Sequence, residues 1–174
     1  MGGIGKSVAR KAGAFGMEIQ YTNCSGKAVD VDGVHTGRYV SLDKLLRTSD
    51  VISLNLPLDA RTQHLLSRQQ FKIMKDGVVI VNTSRGKVVD EAALTEALHS
   101  GKVYAAGLDV FENEPKDHPE LLQSPSVVLL PHVATFTVET RTSMELLVQE
   151  NLREALTNGQ LVTQIKEQLP RSRL

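Results

Sequence analysis

The first apolar residues of the chain recur at three- and four-residue steps. This spacing predicts a helix over residues 3–15 that buries one face. Gly16 follows at a point where a glycine commonly ends a helix, and MEIQY (17–21) then predicts a short strand. The apolar positions of this helix are Ile4, Val8, Ala12 and Phe15.

From residue 41 onward, short apolar runs alternate with amphipathic segments. Ser41 and Asp90 each precede a helical pattern as N-cap residues, and residues 24–40 predict a loop with at most one short strand. The predicted helices cover residues 41–49, 67–74, 90–101 and 138–157, and the predicted strands cover residues 51–56, 77–84, 103–110 and 126–131. The last helix gathers Met144, Leu147, Val148, Leu152, Ala155 and Leu156 on one side.

Strands that are apolar on both faces and alternate with helices are typical of one fold class. They predict an α/β fold, a doubly wound parallel sheet with helices on both faces. Ligands of such sheets bind beyond the carboxyl ends of the strands. The polar residues that follow each strand are therefore the candidates for a functional site.

Charged side chains follow neighbouring strands of the predicted sheet. Arg85 follows one strand, Asp109 and Glu114 follow the next, and His132 comes directly after the last. Each alone is most simply a loop residue. Together they could bind a carbonyl acid and act on it. Arginine pairs with a carboxylate, histidine exchanges a proton near neutral pH, and a carboxylate orients an imidazole.

The start of the chain, MGGIGKSVAR, is a further candidate for a ligand-binding segment. Gly2 and Gly5 are spaced like the last two glycines of G-x-G-x-x-G, a phosphate-binding turn. An isolated glycine spacing is weak evidence, and a helix start made of small residues explains it equally well.

Several motifs resemble one enzyme family. VNTSRGKVVDEAALTEAL, GLDVFENEP and LLPHVAT resemble the three signature blocks of the D-isomer-specific 2-hydroxyacid dehydrogenases, in the usual order, and are closest to glyoxylate/hydroxypyruvate reductase-like members. DVISLNLPLDARTQHLL resembles the strand and proline turn that line the nicotinamide. MGGIGKSVAR resembles the family's glycine turn without its first glycine. The resemblance thus implies a Rossmann-type sheet lacking its first strand.

The resemblance also implies roles for individual residues. Arg85 would orient the substrate carboxylate, His132 would be the acid and base, and Glu114 would hold the imidazole. No metal is expected, because the histidines form no ligand spacing with carboxylates or with Cys24. The residues expected at the cofactor are Gly2, Gly3, Ile4, Gly5, Asn23, Leu56, Pro57, Thr62, Thr83, Ser84, Asp109 and Thr135.

The expected cofactor is NAD or NADP. Folds that select NAD usually carry an acid after the second strand, where it binds the ribose hydroxyls. QYTNCSGK has no acid there and offers only Lys27 as a nearby cation, so the balance favours NADPH, with Asn23 at the ribose.

The composition of the chain limits the kinds of molecule that it is expected to bind. The 174-residue chain has no net charge, which argues against nucleic acid, and no apolar run approaches the roughly 20 residues that span a membrane. Its one cysteine, Cys24, suits the reducing cytoplasm. The partner implied by the resemblance is a small 2-keto or 2-hydroxy acid, and complete relatives are usually homodimers.

The resemblance divides the chain into an NAD(P)-binding domain at residues 1–158 and a tail at residues 159–174. In relatives, this tail returns to a substrate lobe. Without that lobe and the first strand, the isolated chain is expected to show little or no turnover. Two other hypotheses stay open: a cofactor-sensing protein that resembles the family's corepressors, and an inert truncated product.

Overall fold

The computed structural model describes residues 1–24, 26, 28, 37–116 and 118–164. Lys27 and most of the predicted tail therefore lie outside the described residues. The chain forms two compact units, Met1–His132 and Val133–Leu174.

The first unit alternates helices and strands. Its helices are α1 (Gly3–Ala14), α2 (Leu42–Thr48), α3 (Arg68–Ile73), α4 (Glu91–His99) and α5 (Pro119–Gln123). Its strands are β1 (Gln20–Tyr21), β2 (Arg38–Tyr39), β3 (Val51–Leu54), β4 (Val78–Asn82), β5 (Val103–Leu108) and β6 (Val127–Leu129). The second unit contains α6 (Val138–Asn158).

The main sheet is parallel, with the strand order β3-β4-β5-β6. Ile52 pairs with Ile80, Ile80 with Ala106, and Ala106 with Val127 across the sheet. β1 and β2 form a separate parallel pair. This arrangement confirms the predicted α/β class. The strands are shorter than predicted, so the polar residues at their carboxyl ends lie in loops.

The main sheet buries one of its faces. Alternate residues of β4, such as Val78 and Ile80, are buried in a core shared with Leu94 of α4. The alternate positions are more open, and Tyr104 of β5 is 72% exposed. The face that carries Tyr104 is thus less buried than the apolar sequences of the strands suggest. The core of the described residues collects side chains from α2, α3, α4 and α5.

The predicted buried face of α1 is wrong. Ile4 and Phe15 are 68% and 87% exposed, whereas Gly5 and Ala9 are buried. The helix packs by its small residues, which lie one turn apart. A Cβ added at Gly5 would lie 2.8 Å from Cγ of Met1 and 3.7 Å from Asn55 Cβ, so this position leaves room for the Met1 side chain and lies beside the residue that follows β3.

Local signals at the helix ends are confirmed. The side chain of Ser41 accepts a hydrogen bond from the Lys44 amide, and that of Asp90 accepts one from the Ala93 amide. Gly16 has a φ of 79° directly after the end of α1. Helix α5 was not predicted, because five residues are too few to show a helical period; Pro119 at its first turn was the available signal.

Helix α6 has the predicted extent, but none of its residues is buried. The apolar side predicted from its sequence includes Met144, Leu147 and Leu156, and all three are exposed. Within the described residues, no helix is long and apolar enough to cross a membrane.

The core assignment predicts the effect of truncating Leu94. Leu94→Ala should lower the free energy of unfolding by about 2–5 kcal/mol, because a fully buried side chain leaves a cavity. Urea denaturation followed by circular dichroism measures this loss. Leu122→Ala, on the exposed side of α5, is the matched control and should change it by less than about 0.5 kcal/mol. Equal losses in both variants would contradict the assignment.

Candidate active site

The carboxyl ends of the parallel strands meet at one edge of the main sheet, where a cleft of about 450 Å³ opens. Its lining includes Leu58 after β3, Arg85 after β4, Glu114 after β5 and His132 after β6. A space of this size suits a small organic molecule. The structure thus brings the three predicted catalytic residues into one cleft, although their roles stay a prediction.

A hydrogen bond joins the imidazole to the carboxylate in this cleft. His132 Nδ1 lies 2.9 Å from Glu114 Oε2, and the Phe111 amide donates to Glu114 Oε1 at 3.0 Å. The bond to His132 lowers the pKa of the Glu114 carboxyl. Burial opposes this shift, and the Phe111 amide and the nearby charge of Arg85 add to it. Glu114 is therefore ionised at neutral pH.

The backbone of His132 has an uncommon conformation. Its φ is 56°, in the left-handed region, and its amide donates to the Leu130 carbonyl at 3.0 Å. Such strain in a residue other than glycine is more common at functional sites than elsewhere. The tight turn directs the imidazole back toward Glu114.

The turn that carries Arg85 is shaped by a buried asparagine. Asn82 Nδ2 donates to the Arg85 carbonyl at 3.0 Å, and Asn82 Oδ1 accepts from both the amide and the hydroxyl of Ser84. Arg85 Nη1 donates to the Ser84 carbonyl at 2.6 Å. Sequence reasoning assigned no role to Asn82. The signal was a polar residue ending an apolar strand, where burial demands hydrogen-bond partners.

A close backbone contact joins the Arg85 turn to the loop that bears Glu114. A Cβ added at Gly86 would lie 1.9 Å from the Phe111 carbonyl carbon and 2.5 Å from the Glu112 nitrogen. Only glycine allows this approach, since the obstructing atoms belong to the backbone. The positions of Arg85 and Glu114 are thereby linked.

The start of α1 fits a phosphate group. The N-cap residue is Gly2, which has no side chain to cap the first amides, and no acidic residue occurs in the first turn. A Cβ added at Gly2 or Gly3 would meet nothing within 4 Å, and Ile4 is exposed, so this helix end is open. Backbone amides and the positive end of the helix dipole favour an anion there.

Most of the other residues expected at the cofactor also follow strands. Asn23 follows β1, Leu56 and Pro57 follow β3, Thr83 and Ser84 follow β4, and Asp109 follows β5. Thr135 belongs to the second unit and is exposed. Their contacts with a cofactor stay predictions. In the part of the chain that the structure describes, no group of histidine, cysteine and acidic residues could hold a metal ion.

Thr62 has a structural role in this region. It is buried, its hydroxyl donates to the Pro57 carbonyl at 2.8 Å, and the Asp59 amide donates to that hydroxyl at 2.7 Å. These bonds close the turn after β3. Its predicted contact with the cofactor stays a prediction beside this observed role.

Comparison with known proteins gives a consistent result. Residues 1–134 match the family model described as D-isomer specific 2-hydroxyacid dehydrogenase, NAD binding domain. The chain is 54% identical over 168 residues to 4-methyl-2-oxopentanoate reductase A of Aspergillus oryzae, covering 97% of this chain and 50% of that protein. It spans about half the length of the curated relatives it matches.

Solved structures agree with the sequence comparison. A glyoxylate reductase from Paecilomyes thermophila superposes with a TM-score of 0.91 at 54% identity, covering 97% of this chain and 51% of that one. An NADPH-dependent glyoxylate/hydroxypyruvate reductase from Sinorhizobium meliloti, solved with NADP and malonate, gives a TM-score of 0.88 at 36% identity, covering 99% of this chain and 53% of that one. These findings confirm the resemblance drawn from the sequence motifs.

The bond between His132 and Glu114 predicts a titration change. His132→Gln should raise the pKa of the Glu114 carboxyl toward its ordinary value of about 4.3, because the largest cause of the lowering is removed. Carbon-13 NMR of the glutamate carboxyl groups measures the midpoint. His99→Gln is the matched control, since His99 lies 3.6 Å from Glu120 on the exposed surface. An unchanged Glu114 midpoint in His132→Gln would contradict the observed bond.

The same shift has a consequence for stability. A carboxyl whose folded-state pKa is lowered contributes stability that is fully present above the unfolded pKa of about 4.3 and is lost as the pH falls through the folded value. The stability difference between wild type and His132→Gln should therefore be larger at neutral pH than in acid below the lowered pKa of Glu114.

Proposed function

The chain belongs to the D-isomer specific 2-hydroxyacid dehydrogenases, whose NAD binding domain it matches, and we propose that it serves an NAD(P)H-dependent 2-keto acid reductase. The protein would transfer hydride between the cofactor and a 2-keto or 2-hydroxy acid. The observation that carries this proposal is the His132–Glu114 hydrogen bond in a cleft shared with Arg85.

Arg85 is the proposed anchor for the substrate. Its guanidinium lines the cleft and carries a charge that matches the carboxylate of a 2-keto acid. Two parallel N–H donors can bind the two carboxylate oxygens and fix the orientation of the adjacent carbonyl. Asn82 supports this role, because its bonds set the turn from which the guanidinium extends.

His132 is the proposed acid and base. The ionised Glu114 carboxylate only accepts hydrogen bonds, so Nδ1 of the imidazole carries the proton that it donates to Glu114. Nε2 is then the nitrogen that exchanges a proton with the substrate oxygen. It protonates the carbonyl oxygen during reduction and removes the hydroxyl proton in the reverse direction.

The cofactor would be held by the start of α1 and by the residues that follow the strands. The amides of Gly3 and Ile4 would bind its pyrophosphate, and Thr83, Ser84 and Asp109 would lie near its nicotinamide. When bound, NADPH or NADH supplies the hydride. The absence of an acid in QYTNCSGK and the NADP bound to the Sinorhizobium meliloti reductase support NADPH.

The proposed substrates are glyoxylate and hydroxypyruvate. The similar proteins are named for glyoxylate, hydroxypyruvate and 4-methyl-2-oxopentanoate, and in each of these compounds a carboxylate lies next to a carbonyl. We also propose that the protein is a cytoplasmic homodimer. The single Cys24 supports the reducing compartment, and the exposed apolar side chains of α6 support association.

Steady-state kinetics of the purified full chain tests the proposed function. Reduction of glyoxylate and hydroxypyruvate is followed by the loss of NADPH or NADH absorbance. His132→Gln should lower kcat by about 10²–10⁴-fold, the usual contribution of a general acid, and leave the cofactor Kd unchanged. Arg85→Gln should chiefly raise the substrate KM. His99→Gln, remote from the cleft, should leave all three constants unchanged.

Two outcomes would contradict the proposal. Cofactor binding without turnover of any 2-keto acid would favour a cofactor-sensing protein of the corepressor type. Neither binding nor turnover would favour an inert product. Thermal melts with and without NADPH distinguish these outcomes, because a ligand that binds the folded state raises the Tm.

A further inference from the structure

A second histidine–glutamate pair lies beside the first. His64 Nε2 is 2.7 Å from Glu112 Oε1, and Glu112 comes two residues before Glu114 on the same loop. In the described part of the chain, His64 and His132 are the non-glycine residues with a positive φ. Both strained histidines therefore bind glutamates of one short loop.

Glu112 is also bonded to a buried carboxylate. Its amide donates to Glu91 Oε1 at 2.7 Å, and the Glu91 amide donates to Glu112 Oε2 at 3.4 Å. Glu91 is the first residue of α4 and is buried. The two glutamates thus hold each other through backbone amides, which fixes the loop to the start of α4.

His64 is anchored to the segment that follows Arg85. Its amide donates to the Lys87 carbonyl at 2.8 Å, and the Leu66 amide donates to the Val88 carbonyl at 3.1 Å. The close approach of Gly86 to Phe111 joins the segment after Arg85 to the loop that carries Glu112. The backbone that leads into Glu112 is therefore held against the Arg85 turn, and the Glu112 side chain is bonded to a histidine that is fixed to the segment after that turn.

The effect of these contacts reaches the imidazole through one amide. Glu112 follows Phe111 directly, and the Phe111 amide donates to Glu114 Oε1, while Glu114 Oε2 lies against His132. Rotation of the backbone at Glu112 would move that amide and swing the Glu114 carboxylate away from His132.

We propose that His64, Glu112 and Glu91 form a positioning network that holds Glu114 in place for His132. Glu112 also lines the cleft. In this proposal His64, Glu112 and Glu91 act by holding the loop at residues 111–114, and they take no part in the proton transfer itself. Its consequence for turnover rests on the proposed function, whereas its consequence for Glu114 does not.

Two substitutions that keep side chains of similar size test the network in the purified full chain. Glu112→Gln and His64→Gln should each lower kcat for glyoxylate about tenfold or more, since a displacement of about 1 Å at a catalytic group can cost about 10²-fold. The KM for NADPH should stay within roughly twofold. The double variant should be no slower than the slower single variant, because members of one network are not additive.

A second readout does not need activity. In both variants the carbon-13 titration midpoint of the Glu114 carboxyl should rise, because its bond to His132 is loosened. The matched control is the exposed pair His99 and Glu120, in which His99→Gln and Glu120→Gln should change neither kcat nor the Glu114 midpoint. Thermal melts report stability separately.

The outcomes separate the network from the proposed function. A lower Tm with an unchanged kcat and Glu114 midpoint would show a merely structural network and overturn the proposal. If wild type lacks turnover, the proposed function fails and the Glu114 midpoint alone decides the network. If Glu112→Gln fails to fold, His64→Gln decides, because Glu112 keeps its bonds to Glu91 in that variant.

Discussion

The parallel hydrogen bonding of β4 between β3 and β5 is the constraint on which the cleft depends. Because all strands of the main sheet run in one direction, every carboxyl end meets the same edge. Charged side chains cannot stay inside an apolar sheet without partners, so they lie where the strands end. Arg85, Glu114 and His132 are far apart along the chain and come together only through this alignment.

Polar groups buried at that edge then decide the local geometry. Asn82 and Glu91 are buried, and both bind backbone amides or carbonyls of neighbouring loops. A buried polar group without a partner costs about 1–3 kcal/mol, so these loops are held in the conformations that satisfy it. Gly86 adds a steric constraint, because any side chain there would meet the backbone of Phe111. The shape of the cleft therefore depends on Asn82 and Glu91, which do not line it, as well as on Gly86, which does.

The alternation of helices and strands, the caps at Ser41 and Asp90, and the polar strand ends could all be predicted from the sequence. Each is a local signal that depends on periodicity or on one side chain near one backbone amide. The burial of α1 could not be predicted this way. Its large apolar residues are exposed and its small ones are buried, because burial depends on what packs against a helix.

The sequence alone points to Arg85, Glu114 and His132 as candidates, since the motifs that contain them lie in continuous stretches of chain. The partners of His64 could not be predicted in this way. His64 is bonded to Glu112, and Glu112 to Glu91, by contacts that join two loops and the start of α4. Such contacts depend on strand register and on the paths of loops whose positions are set by packing, and no spacing along the chain encodes them. The positioning network is therefore a property of the folded molecule. The residues proposed for the reaction itself can be picked out from the sequence, because short motifs identify them.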